Sequence, residues 1–421
     1  KQLTSSSASP EERLALTRLA FENLPGFEVL DLEIRREGKS YTVDTMRELK
    51  AQYAHDELFL MMGTDMFLSF QDWYSPQEIA RCAQLVCFSR YDADAENRAA
   101  LQKQADTLEK LYGQRPVLLT NDCFDISSTE ARRLLVFGIA EPYLPQAVLR
   151  RIEAQRLYGA GRDYRGLPFD ELKTVSLSLH KKTRAAHAIG VCETARQMAR
   201  QFGADEALAA RAGILHDVTK ALTGAQQLLL ADAELDGQYG WLSSRALAPD
   251  GKDQPMNLQR STPYKDLASF AGPRQPAVMA SFVSLFLRSS TVQRFGLPIA
   301  EFFIWSDDWE YTRRISRSMP CYVIPASRVV HAMQNATVVN IATDTPDRWP
   351  RYRYFYRNDV VLYRREGLRG WLWLIAKDAW HSVQVLRHGP QKCKRLGIIW
   401  RGFFAGVNFH PTVQGLPTQE R

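Results

Sequence analysis

The sequence predicts an α/β chain in three parts: a parallel-sheet unit, an all-helical stretch and a second α/β unit. Three observations carry this. The 421 residues are close to three times the roughly 150 of an average domain. Short apolar runs alternate with helix-like sequence through the first 158 residues, as strands and helices do in a sheet covered on both faces. Composition also breaks near Trp241: residues 1–240 carry 29 Lys and Arg against 34 Asp and Glu, residues 241–421 carry 25 against 13, and eight of the nine tryptophans follow the break. A shift of charge and aromatic usage at one place is expected where units of different origin meet.

The composition, 45% hydrophobic and 24% charged, is that of a globular protein and excludes collagen-like and fully disordered classes. Six cysteines (Cys82, Cys87, Cys123, Cys192, Cys321, Cys393) lie far apart without a CxxC pair, so reduced thiols in a cytoplasmic protein are expected. No run reaches the roughly 18 apolar residues of a membrane span. The nearest, Trp371 to Ala376, is cut off by Lys377 and Asp378 and lies among Arg369, Arg387, Lys392, Lys394 and Arg395. Two readings stay open for it: a basic amphipathic helix resting on the inner face of an anionic membrane, or a helix packed on its own domain. Nucleic acid is not expected as a partner. The chain starts at Lys1, and part of its natural N-terminus is expected to be missing.

In residues 1–158, helical pattern over Glu11–Glu22 leads to an alternating strand over Phe27–Ile34 and a helix over Val43–Tyr53. Strands follow at Leu58–Met62, Gln84–Phe88 and Val117–Leu119. Ligands of parallel sheets bind at the C-terminal strand ends, which directs attention to Gly63-Thr64-Asp65 and to Ile126–Arg132. The hydroxyls of Ser127, Ser128 and Thr129 at a helix start, with Arg132 one turn on, form either a phosphate cradle or a plain helix cap. Asp65 is either a ribose acceptor or a cap, and Trp73 either stacks on a flat ring or packs.

The order and spacing of Gly38–Thr45, Gly63-Thr64-Asp65, Phe70–Tyr74, Leu85–Arg90, Ile126–Arg132 and Val148–Tyr158 resemble the nicotinate-nucleotide adenylyltransferase family. The resemblance implies a Rossmann-like nucleotidyltransferase domain over 1–158 acting on ATP and nicotinate mononucleotide. Thr42 and Trp73 would hold the nicotinate, Asp65 the adenylate side, and Ser127, Ser128, Thr129 and Arg132 the triphosphate. The family's first strand and its loop with two histidines are not found here; the domain is therefore expected to lack its first strand and the chain to be inactive as written.

A linker, Gly159–Gly166, leads into helical sequence in which His187 opens one helix and His216-Asp217 ends another. Histidine and carboxylate suit a divalent metal that activates water on a phosphate ester. Residues 165–238 resemble the front of the HD phosphohydrolases, the dinucleoside tetraphosphatase branch. The likeness implies an all-α partial HD domain with His187, His216 and Asp217 as ligands of iron or manganese, too few for two metals.

In residues 241–421 the informative run is Phe302–Arg314, with paired Asp307 and Asp308, followed by Tyr322–Pro325 and Val329-Val330-His331. An acid at a strand-to-helix turn can act as general base, or merely cap the helix. Together with Tyr354–Asn358 the run resembles the acceptor half of family 2 glycosyltransferases, galactofuranosyl or rhamnosyl type. The likeness implies a partial GT-A α/β domain that takes a nucleotide-sugar donor and a glycan acceptor. Asp308 would deprotonate the acceptor, and His331 would join a magnesium or manganese ion. The resulting expectation is a composite whose inherited function is adenylyl transfer; glycosyl transfer is the rival and a non-catalytic composite of domain remnants the third reading. Strands at Phe302–Ile304 and Tyr322–Ile324 are expected to leave an unpaired sheet edge, Asp307, Asp308 and His331 to cluster, and packing across residue 241 to be poor.

Overall fold

The computed structural model describes residues 8–88, 95–119, 126–332, 340–388 and 391–416, and the chain forms two compact units, 1–163 and 164–421. Lys1, Ser89, Arg90 and Cys123, all noted above, lie outside the described residues.

The first unit opens on α1 (Pro10–Phe21), where Ser9 Oγ accepts from the Glu12 N–H at 3.1 Å and Pro10 fixes the first turn. Next come α2 (Leu32–Arg35), α3 (Thr42–Gln52), β1 (Phe59–Gly63), α4 (Thr64–Leu68), α5 (Pro76–Cys82), β2 (Gln84–Phe88), α6 (Ala95–Tyr112), β3 (Val117–Leu119), α7 (Ser128–Phe137) and α8 (Gln146–Ala154). The strands pair in the order β1-β2-β3, all parallel, with Met61 opposite Val86 and Cys87 opposite Leu118. Val43, Met46, Phe67, Phe70, Ile79, Leu85 and Leu108 fill the core between the sheet and its helices. The parallel αβ alternation expected from the sequence is thus formed.

The strand expected over Phe27–Ile34 is not. The Asp31 carbonyl accepts from the Ile34 and Arg35 N–H groups, its carboxylate pairs with Arg35 at 2.9 Å, and the run closes into the single turn α2. Phe27 stacks on Phe21 instead, with ring centroids 5.1 Å apart. An alternating pattern makes a strand only where a neighbour completes its ladder; among the described residues none does.

The second unit begins with α9 (Phe169–Leu179), α10 (Ala185–Phe202) and α11 (Glu206–Leu215), packed through Leu172, Cys192, Ala210 and Ile214. Gly213 permits the close approach of α10 and α11, since a Cβ there would lie 2.6 Å from the Cys192 Cα. After α12 (Gly224–Leu235) come β4 (Leu242–Leu247), the ribbon β5 (Arg260–Thr262) and β6 (Lys265–Asp266), β7 (Gln275–Pro276) and β8 (Leu285–Phe286). The unit continues with α13 (Ser289–Phe295), α14 (Asp307–Ser316) and β9 (Tyr322–Val330), and closes with α15 (Trp349–Arg364), α16 (Gly367–His388) and α17 (Lys392–Val407). The sheet order is β7-β9-β4-β8, with β4 and β9 parallel.

Three expectations are corrected here. Phe302–Ile304 is no strand: Ala300–Phe302 is a 3-10 turn, and Phe303, Trp305 and Ser306 all adopt positive φ (62°, 64° and 62°). β9 is not an open edge, because it pairs with β4 on one side and with β7 on the other. Packing does not fail at residue 241 either. Leu228 and Ala231 of α12 share a core with Tyr239, Leu242 and Ile324, and the buried Trp241 donates its indole N–H to the Thr312 carbonyl at 2.9 Å. Composition reports surface charge, and it can change where a core runs on unbroken.

Candidate functional site

In the first unit Asp65 is exposed in the first turn of α4, directly after β1. Thr42 opens α3, and Trp73 is half-buried against Phe70 with ring centroids 5.3 Å apart. Their segments meet: Tyr41 and Tyr74 lie 4.6 Å apart, and Arg47 of α3 donates to both carboxylate oxygens of Glu78 in α5, at 2.6 and 2.5 Å. Ser127 is the N-cap of α7. Its hydroxyl accepts from the Glu130 N–H at 3.2 Å and donates to Glu130 Oε2 at 2.7 Å, a reciprocal capping box. Ser128 and Thr129 are exposed beside it, and the exposed Arg132 guanidinium sits 5.2 Å from the centroid of the Tyr158 ring.

In the second unit His187 on α10 and His216-Asp217 at the end of α11 converge, with ligand atoms all within 4.8 Å of one another. His216 Nε2 is 3.5 Å and His187 Nε2 3.9 Å from the Asp217 carboxylate. The left-handed Asp217 (φ 63°) turns its carboxylate toward Lys220, at 2.9 Å, and Arg184, at 3.1 Å. The Lys220 hydrogen bond, helped by the charges around it, holds its carboxyl below the usual range. Two imidazoles and one carboxylate suit a single divalent ion with positions left open for water and phosphate, provided that the ion displaces two cations from Asp217. A cavity of about 210 Å³ lined by Thr183, Arg184, Asp217 and Lys220 adjoins them.

Asp307, Asp308 and His331 line one cavity of about 420 Å³ together with Arg260, Asp266, Trp305, Trp309 and Phe355. Asp308 Oδ1 accepts from the Trp309 N–H at 2.7 Å. Burial, and next the charge of Asp307, push its carboxyl up to about 7 against that hydrogen bond and Arg260. His331 Nδ1 lies 2.8 Å from Asn257 Oδ1, and the Asn257 amide donates to Ser281 Oγ at 3.0 Å. Arg260 lies over the Trp309 ring at 4.6 Å and donates to the Tyr363 hydroxyl at 2.8 Å.

Comparison with known proteins bears on the first two sites. A cytidylyltransferase-like family model matches residues 1–134, and an HD-domain model matches residues 184–244. A probable nicotinate-nucleotide adenylyltransferase of Geobacter sulfurreducens is 38% identical over 160 residues, which cover 35% of this chain and 74% of the relative. Proteins of the same description from a Shewanella species (36% over 162 residues, 36% of this chain, 76% of the relative) and from Aquifex aeolicus (37% over 131 residues, 29% and 72%) agree. The chain belongs to the nicotinate-nucleotide adenylyltransferase family. The HD match implies a divalent metal, for which His187, His216 and Asp217 are a candidate set.

To the adenylyltransferase part of the chain the structure adds the ring of Tyr158 under Arg132 and the ring of Tyr41 against Tyr74; all three tyrosines fall inside motifs already visible in the sequence. In the Asp308 cavity, Arg260 and Asn257 were missed. Each lies more than 45 residues from Asp308 along the chain, in loop and ribbon sequence with no local pattern to mark it.

Proposed function

We propose that the first unit binds nicotinate mononucleotide and ATP for adenylyl transfer. A phosphate oxygen of the mononucleotide bonds to the α-phosphorus of ATP, the bond from that phosphorus to the bridging oxygen breaks, and deamido-dinucleotide and pyrophosphate leave. The reaction needs positioning and charge neutralisation more than covalent help. The observation that carries the reading is the contact of Tyr41 with Tyr74, which joins the segments holding Thr42 and Trp73, the proposed nicotinate contacts. Asp65 serves the adenylate side, and Ser128, Thr129 and Arg132 the triphosphate; Ser127 contributes the helix start. Titration of the 421-residue chain with nicotinate mononucleotide, followed by tryptophan fluorescence, tests it. Saturable quenching lost in Trp73→Phe is expected, and quenching unchanged in that variant overturns the assignment.

A second reading is favoured by one observation: a buried acid poised near neutral pH in a cavity it shares with Asp307 and His331. Asp308 then takes the proton of an acceptor hydroxyl as its oxygen bonds to the anomeric carbon of the donor sugar and the bond from that carbon to the nucleoside diphosphate breaks; His331 would help to hold a divalent metal that neutralises the leaving diphosphate. Release of nucleoside diphosphate from a panel of nucleotide sugars with glycan acceptors, abolished by Asp308→Asn, is the expected result. At the HD site the metal is iron or manganese, held by His187, His216 and Asp217.

A further inference from the structure

Helix α16 runs for 22 residues, and no described helix is long and apolar enough to cross a membrane. Its inward face is Gly370, Leu374, Asp378 and Val385, all buried. Gly370 is wedged so closely that a Cβ would lie 1.9 Å from the Tyr363 carbonyl, so the inward face is fully committed to the fold. The outward face is apolar as well. Leu368, Leu372, Ile375, Ala379, Val383 and Leu386 recur at spacings of three and four, the spacing of one helical stripe. Leu368 is 76%, Leu372 61% and Leu386 51% exposed. Trp373 and Trp380 stand exposed along the border of the stripe.

Charge decides what covers this face. From Gly367 to Val407 there are seven Lys and Arg and one carboxylate, Asp378. That carboxylate is buried beside Lys377, at 3.3 Å, on the inward side. The preceding Glu366 is occupied by Arg313, at 2.8 Å, and by Arg317. Arg369, Arg387, Lys392, Lys394 and Arg401 are exposed. A second copy of the same surface would bring cation against cation. An anionic lipid surface instead takes the leucines into its acyl boundary, the tryptophans at headgroup level and the arginines against phosphate.

We propose that α16 lies flat in the surface of an anionic bilayer and docks the second unit there through Leu368, Leu372, Ile375 and Leu386, with Arg369, Arg387 and Lys392 against the headgroups. The inference is independent of the adenylyl-transfer reading. Co-sedimentation of the full chain with vesicles of phosphatidylcholine alone, and of an equimolar mixture with phosphatidylglycerol, tests it. Binding to the mixed vesicles, weak binding to the neutral ones, weakening by salt and a blue shift of tryptophan emission are expected. Leu372→Glu in α16 is expected to weaken binding about tenfold or more, and so is the pair Arg369→Glu and Arg387→Glu. Helical circular dichroism stays unchanged in each variant, and the unfolding midpoint stays in place in Leu372→Glu, whose side chain is exposed; Arg369 also lies over the Tyr264 ring at 5.0 Å, so the charge-reversed pair is compared at a temperature well below its own midpoint. Failure to bind mixed vesicles, or equal binding to both compositions, overturns the proposal. So does a dimer, seen by light scattering, that Leu372→Glu converts to monomer, which would assign the face to a second copy.

Discussion

The Ser306 hydroxyl donates to Asp359 Oδ1 at 2.5 Å, across 53 residues of sequence. Next to it the Asn358 amide donates to the carbonyls of Phe302 (3.0 Å), Ile304 (3.2 Å) and Trp305 (2.9 Å). These two neighbours on α15 hold the loop whose positive φ values turn Asp307 and Asp308 into their cavity. Left-handed backbone at non-glycine residues persists only where the surroundings enforce it.

Asn358→Ala leaves those carbonyls without their donor, and Asn358 is fully buried. A loss of about 3 kcal/mol in unfolding free energy is expected, measured by urea denaturation. A loss below about 1 kcal/mol would mean that the loop stands without the clamp.

The Asp308 carboxyl predicts a pH dependence. Its folded value, about 7, lies above its ordinary value of 3.8. Between the two the folded state binds the extra proton, so stability falls as pH rises through that window and levels off above 7. The slope is at most about 1.4 kcal/mol per pH unit. Asp378, pushed up to about 6 by burial, adds a slope of the same sign. His381, pushed down to about 4 by burial, opposes it up to its ordinary 6.5. The difference between the wild type and Asp308→Asn isolates Asp308: their stabilities converge toward acid and diverge toward neutral, the variant being the more stable. Parallel curves across the window would show that the carboxyl titrates normally.

How much of this was legible follows from where each determinant lies along the chain. Asp308, His331 and the Tyr354–Asn358 run were visible because their chemistry is local. The loop between Phe302 and Ser306 read as a strand because its apolar residues match one, whereas its conformation is set by Asn358 and Asp359, too far along the chain for any local pattern to carry. Phe27–Ile34 failed in the opposite way: its alternation was real, but Asp31 closes a turn there and, among the described residues, no strand lies beside it to pair. One helix start was more transparent. Ser127, weighed from the sequence as cap or cradle, caps α7 with its own side chain; Asp205 and Thr223 do the same for α11 and α12 without having been marked in the sequence.

At the HD site, manganese binding measured by calorimetry is expected to be stoichiometric and to weaken at least about tenfold in His216→Ala. Lys220→Met is expected to strengthen it, because the lysine competes for the same Asp217 oxygen at 2.9 Å. Affinity unchanged in both variants would place the metal elsewhere.

The last prediction separates cap from cradle at the start of α7. Ser127 has its hydroxyl engaged twice by Glu130, and the backbone N–H of Ser127 donates to Glu130 Oε2 at 2.9 Å. A hydroxyl so occupied stabilises the helix and has little left for a phosphate. Ser127→Ala is therefore expected to cost about 1 kcal/mol of stability while leaving ATP affinity within about twofold, well under the effect of losing one hydrogen bond to a charged group. Arg132 is the converse. It is exposed, with its guanidinium 5.2 Å from the Tyr158 ring centroid, so Arg132→Ala should leave the unfolding midpoint in place and weaken ATP binding about tenfold or more. Tyr158→Leu gives an intermediate result, since the ring only orients the guanidinium. Thermal unfolding and calorimetric titration of the same three variants read both quantities. If Ser127→Ala lost ATP affinity as strongly as Arg132→Ala, the hydroxyl would have to leave Glu130 for the phosphate on binding, and the capping box would belong to the ligand-free state alone.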